Sequence, residues 1–305
     1  MKLSNNYSIQ GFQGKEQEKT KKVNGFIPTT VSALASAVPI FLTGMYTDDC
    51  VIPALRVASD LPDEVVGKVH SGARKALKNE GLDKYGVSIQ LMPKLEQEPS
   101  IKARLLNPIL QVKAGMNSLF VYKDIRTFNE FDKLVDYKKN TIFLPEKKSC
   151  LTVFHEMGHA ANCNMSKLTK YLQYGNAWGQ KIGILPVLYT LFTRESKPDK
   201  NGNLTTGQKV KNFVRDNVGV ISFACFVPSL IEEGLASIRG NSFAKKVLTP
   251  DLVKKVAKAN IMGYSTYVLS AIGTAVAGNI AVSIKDKMIA NKEAKVVEKL
   301  NSVKV

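Results

Sequence analysis

Two runs of this sequence go without a charged side chain for longer than a bilayer is thick. Val23 to Thr47 spans 25 residues and ends at Asp48-Asp49, and Ala259 to Ile284 spans 26 residues bracketed by Lys258 and Lys285. Such runs restrict the fold sharply. About 20 apolar residues in a helix cross the hydrocarbon of a membrane, where every backbone polar group must be satisfied within the segment. Two weaker stretches lie between them: Tyr171 to Thr193, with Lys181 as its one charge, and the 15 residues Asn217 to Ile231, which stop at Glu232-Glu233. Lys181 can snorkel, and stretches of the shorter length also suit buried helices of a soluble protein. The sequence thus predicts up to four transmembrane or buried hydrophobic helices: one at 25–47, two within 171–231 and one at 259–284. The first is too long and too far along the chain for a simple signal peptide.

The remaining segments are polar. Residues 1–24 read as a disordered tail and 285–305 as a basic tail, both bearing lysines. Region 48–170 has the pattern of a folded domain. Asp60 to Glu80 offers a cap, an early Pro62 and apolar Val65, Val66, Val69, Ala73, Ala76 and Leu77 at helical spacing. Strand-like runs follow at Val87–Met92, Ser118–Tyr122 and Thr141–Leu144, and then a helix opening near Ser149, a good N-cap. The order is helix, strands, helix, without an internal repeat: an α+β arrangement.

The net charge of +17 calls for an anionic partner. The lysines are spread along the whole chain and no RNP, zinc-finger or helix-turn-helix signature accompanies them, so specific nucleic-acid binding is not expected. Membrane lipid suits the hydrophobic segments better. The four cysteines, Cys50, Cys150, Cys163 and Cys225, form no CxxC pair. Cys150 and Cys163 lie 13 residues apart on one predicted helix, roughly 20 Å and far beyond disulfide reach, so no disulfide framework is implied.

The predicted helix after Thr141–Leu144 reads LTVFHEMGHAAN from Leu151 to Asn162. His155 and His159 leave it on one face, one turn apart, and can reach a single metal ion. Zinc accepts such nitrogen ligands in a tetrahedral site and keeps one position open when the site is catalytic. Glu156 lies about 100° round the helix, placed to take a proton from an attacking water rather than to bind the metal. Gly158 leaves room for close packing behind the motif.

Two histidines do not close a zinc site. Cys163 continues the row but lies about 12 Å from His155 on a straight helix, too far to share an ion with both histidines. His70, the remaining histidine, reads as the shoulder of an amphipathic helix. The carboxylate pair opening IEEGLASIRG, Ile231 to Gly240, is the better source, and either Glu232 or Glu233 could serve. The plainer reading of that pair is a solvated helix start.

HEMGH followed far downstream by Glu233-Gly-Leu-Ala236-Ser237 resembles the gluzincins, whose third ligand is the glutamate of an ExxA(S/D) helix. The separation, with two hydrophobic segments between the motifs, is similar to the integral-membrane gluzincins, among them the bacterial heat-shock membrane protease and the CAAX prenyl endopeptidases. The resemblance covers roughly residues 85–240, and its specific part is the two short motifs. It implies a mainly helical, zincin-like α+β core with a small sheet, a Zn2+ cofactor, a peptide or protein substrate, and Glu233 as third ligand with Glu232 as its substitute. Ser237 stands where the family usually holds Asp, which weakens the expected support for the ligand histidines. For a transition-state donor the sequence offers Arg239, Tyr264 and Tyr267 without choosing among them.

If all four segments cross a membrane, residues 48–170 and 232–258 share one side and the two halves of the site meet. Which side is left open, because lysines flank both. The expected protein is an integral-membrane metalloendopeptidase. The alternatives are a soluble zincin with a helical subdomain, and a non-catalytic membrane protein with a structural metal site.

Overall fold

A computed structural model of the chain describes residues 25–51, 53–54, 61–91, 118–128, 134–144 and 150–302. The expected tail at 1–24, the last three residues of the expected basic tail 285–305, and the caps at Asp60 and Ser149 lie outside the described residues; residues 285–302 of that tail continue the last helix, Pro250–Ser302. The protein is mostly helical, with a small three-stranded sheet and three long apolar helices.

The amphipathic pattern of Asp60–Glu80 becomes α2 (Asp63–Asn79), which buries Val66, Val69, Ala73, Ala76 and Leu77. Strand β1 (Ser88–Leu91) pairs in parallel with β5 (Thr141–Leu144), and β2 (Leu119–Val121) pairs antiparallel on the other side of β5. The central strand is buried throughout, with Thr141 the one polar side chain in its run. A hairpin of β3 (Ile125–Phe128) and β4 (Leu134–Tyr137), which the sequence reading did not anticipate, stands apart. The motif helix α3 (Val153–Met165) follows a 3-10 turn at Cys150–Thr152 and lies against the sheet. Val153, Phe154, Met157, Ala160 and Ala161 are buried there with Ile142, Leu144, Val69 and Ala73.

The four hydrophobic stretches lie side by side. Helix α1 (Phe26–Tyr46) runs along α8 (Pro250–Ser302), so close that a Cβ at Gly273 would come 2.5 Å from the Thr43 hydroxyl. Helix α7 (Val218–Lys245) runs antiparallel to α8: Gly219 faces Asn279, Gly234 faces Tyr264, and the Asn260 amide donates to the Ser237 carbonyl at 3.4 Å. Helices α4 (Lys167–Gly183) and α5 (Leu185–Phe192) complete the row, with Gly175 against Pro228 and Val187 beside Gly278. The amphipathic helix α6 (Thr206–Asp216), closed by a Thr205–Gln208 capping box, joins α5 to α7.

Two sequence expectations about these stretches need correction. Tyr171–Thr193 is two helices rather than one, because Pro186 at the second position of α5 has no N–H to continue α4. At the C-terminal end of α5, the carbonyls of Thr190, Leu191 and Thr193 accept from the buried cations Arg215 and Lys285. Conversely, Asn217–Ile231 does not stop at Glu232-Glu233. Helix α7 carries both glutamates in its interior, almost wholly buried, so they are not a solvated helix start and 232–258 is not a separate helix region.

Helices α3 and α7 cross with their backbones in contact. A Cβ at Gly158 would lie 2.0 Å from the Ala236 carbonyl oxygen, and one at Gly240 would lie 2.4 Å from that of Phe154. Neither neighbour is a flexible side chain, so only a shift of a whole helix makes room. Gly158→Ala is therefore expected to destabilise the protein by about 1–3 kcal/mol or more. A melting temperature in detergent equal to that of the parent chain would contradict this crossing.

Candidate metal centre

The crossing of α3 and α7 sets two histidines against two carboxylates. His155 Nε2 lies 2.9 Å from His159 Nε2 and 3.1 Å from Glu233 Oε2, and His159 Nε2 lies 3.4 Å from the same oxygen. Three donor atoms thus converge on one point. Zinc bonds of about 2.0–2.1 Å at tetrahedral angles hold neighbouring ligand atoms about 3.3 Å apart, close to this triangle. The donor set fits the ion: two imidazole nitrogens and one carboxylate oxygen.

The far side of each imidazole is also occupied. His159 Nδ1 is 2.8 Å from Glu232 Oε1, and His155 Nδ1 is 3.2 Å from the Ser237 hydroxyl. A proton held at Nδ1 leaves Nε2 with its lone pair facing inward, the tautomer a metal needs. Glu232 therefore sits behind His159 rather than beside Glu233 at the point of convergence. Its Oε1 also accepts from the Asn162 amide and its Oε2 from Asn176. Ser237 occupies the place where the sequence comparison expected an aspartate, and it touches His155.

Electrostatics favour a cation here. Burial alone would suppress a charged imidazole at His159, but Glu232 and then Glu233 outweigh it and raise its pKa well above the ordinary histidine value. A metal entering the site must displace that proton.

Glu156 lies beside the two histidines but is held from the sheet. Its Oε2 accepts from the Phe120 backbone N–H at 2.7 Å, which ties the motif helix to the edge strand β2. Burial raises its carboxyl pKa above the usual range, against the opposing pull of His159, His155 and the Phe120 N–H. Such a carboxylate accepts a proton more readily than an exposed glutamate.

Among the three donor residues singled out in the sequence, Tyr267 interacts with the Glu233 carboxylate and lies in the field of Glu156 and Glu232. The Tyr264 ring packs against Gly234, and Arg239 holds a buried Nη1 with no hydrogen-bond partner among the described residues. His70 is on α2 with its Nε2 buried, and Cys163 packs into the core. Among the described residues, His155–Glu156–His159 and His159–Glu232–Glu233 are each grouped closely enough to hold a metal, and both overlap the triangle of His155, His159 and Glu233.

Sequence reasoning missed Asn162, Asn176 and the Phe120 N–H. Asn162 was within reach of a closer reading, since it lies three residues beyond His159 on the same helix. Asn176 is an amide within a stretch whose one charge is Lys181, the kind of residue that needs a partner when buried. No family model, no curated protein and no solved structure matches the chain, and the site is known by its own residues and their geometry.

Proposed function

We propose that the chain is a membrane-embedded zinc endopeptidase. One observation carries this reading: His155 Nε2, His159 Nε2 and Glu233 Oε2 converge within 3.4 Å of one another, while Glu156 on the same helix is left free of that triangle. A zinc ion held by these three residues would supply Lewis acidity, polarising a peptide carbonyl and making water a competent nucleophile near neutral pH. Glu156 takes the proton from the attacking water and passes it to the leaving amine nitrogen. Of Arg239, Tyr264 and Tyr267, we assign Tyr267 as donor to the oxygen on which charge develops, because it interacts with the Glu233 carboxylate. Glu232 and Ser237 keep the imidazoles turned inward.

Membrane insertion is supported by what the bundle leaves uncovered. Only 17% of the most apolar stretch of α1 is buried, 39% of that of α7 and 33% of that of α8. A helical subdomain of a soluble protein would cover these faces; lipid leaves no need to. Glu233 lies 15 residues beyond Val218, about 23 Å along α7, against a hydrocarbon thickness of about 30 Å. Cleavage close to the bilayer boundary follows.

Detergent-purified protein is expected to hold about one zinc per chain, and the His155→Ala/His159→Ala double variant none. Stoichiometric zinc in that variant would sink the assignment. The chain is also expected to stay with membranes through alkaline carbonate extraction, and recovery as a monodisperse protein without detergent would favour the soluble alternative.

A further inference from the structure

From α4, Asn176 reaches between the two carboxylates. Its amide nitrogen donates to Glu233 Oε1 at 2.8 Å and to Glu232 Oε2 at 3.1 Å. The turn that carries it is fixed by backbone contacts. A Cβ at Gly179 would lie 2.6 Å from the Cys225 carbonyl oxygen, one at Gly175 would lie 3.2 Å from Pro228, and the Ser229 hydroxyl donates to the Asn176 carbonyl at 3.3 Å. The amide is therefore presented by a helix locked onto α7.

Between them the two glutamates have four oxygens, and each has an assigned direction. Glu232 Oε1 faces His159 Nδ1 and Asn162, and Glu232 Oε2 faces Asn176. Glu233 Oε1 faces Asn176 and Glu233 Oε2 faces the two Nε2 atoms, with Tyr267 also on this carboxylate. We infer that Asn176 is a positioning residue of the metal centre, holding Glu233 to ligation through one oxygen and keeping Glu232 turned toward His159. A carboxylate freed of this bond can swing so that both oxygens approach the ion, which takes the position a catalytic site keeps open. The role rests on the zinc reading above. It gives α4, which carries no part of either motif, a direct hold on the coordination number.

The test uses full-length protein in detergent, titrated with zinc and separately with cobalt as a visible reporter of geometry. Asn176→Leu removes the donor at similar size, and Asn176→Ala serves if the larger side chain prevents folding. Both variants are expected to bind zinc about 10–100-fold more weakly than the parent chain, as loss of a partner behind a ligand does. Their cobalt visible bands are expected to weaken as four-coordination gives way to five. Parent-like zinc affinity in the variants overturns the role of Asn176 and leaves the zinc site standing. Weakened affinity with an unchanged cobalt spectrum overturns it as well, since that marks a general loss of packing. A parent chain that binds neither metal removes the zinc reading, and this role with it.

Discussion

Glu156→Gln is expected to keep its metal and lose nearly all peptide hydrolysis. Glutamine matches glutamate in size, and its amide oxygen can still accept the Phe120 N–H that Glu156 Oε2 holds at 2.7 Å. The junction between α3 and β2 therefore survives, and the triangle of His155, His159 and Glu233 is untouched. What disappears is the basic oxygen that takes the proton from water, a loss that costs about 10²–10⁴-fold or more. The measurement is cleavage of casein or another unfolded chain by detergent-solubilised protein, with zinc content determined on the same sample. Cleavage at the parent rate rejects Glu156 as the base. A parent chain that binds zinc but hydrolyses nothing favours the structural-metal alternative instead.

The halves of this site differed in how far the sequence disclosed them, and the reason is physical. The motif helix is a local object. His155 and His159 are four residues apart, the apolar entry at Leu151, Val153 and Phe154 precedes them, and the i, i+4 geometry follows from the helix itself. Even the role of Gly158 as a contact surface was legible, though its partner, the Ala236 carbonyl, was not. Helix α7 is a different case. In sequence, Glu232-Glu233 looks like the end of an apolar run, because an unpaired charge cannot continue into a buried helix. It continues here because His155, His159 and Asn162 from α3 and Asn176 from α4 meet the two carboxylates, and these partners lie 56 to 78 residues away. A window of sequence has no access to such pairings. The same holds for Ser237: its distance from the family pattern was visible, but its contact with His155 depends on how α3 and α7 cross. The break at Pro186 was open to view and was passed over, because the apolar composition continued through it.

The largest loss of metal affinity is expected from Glu233→Ala, and a clearly smaller one from Glu232→Ala. Two imidazoles from one helix leave a tetrahedral ion short of one protein ligand and one open position. Glu233 Oε2 faces both Nε2 atoms and completes that set. Glu232 instead faces Nδ1 of His159, so its removal leaves the ligand in place but unbraced, at a cost of about 10–100-fold. The glutamine variants sharpen the contrast. Glu232→Gln retains an oxygen able to accept the Nδ1 proton and should recover much of the affinity lost in Glu232→Ala. Glu233→Gln should recover little, because a neutral amide oxygen is a poor substitute for a carboxylate at a dication. Isothermal titration or competition with a chelator reads all four variants on one scale. If the order is reversed, the ion sits in the neighbouring group formed by His159, Glu232 and Glu233 with Glu232 as its ligand. The ion would then bond Nδ1 of His159, which already faces Glu232 Oε1, and His155 would hold no metal. His155→Ala on its own separates these arrangements, since it weakens zinc binding strongly only when Glu233 and the two Nε2 atoms share the ion.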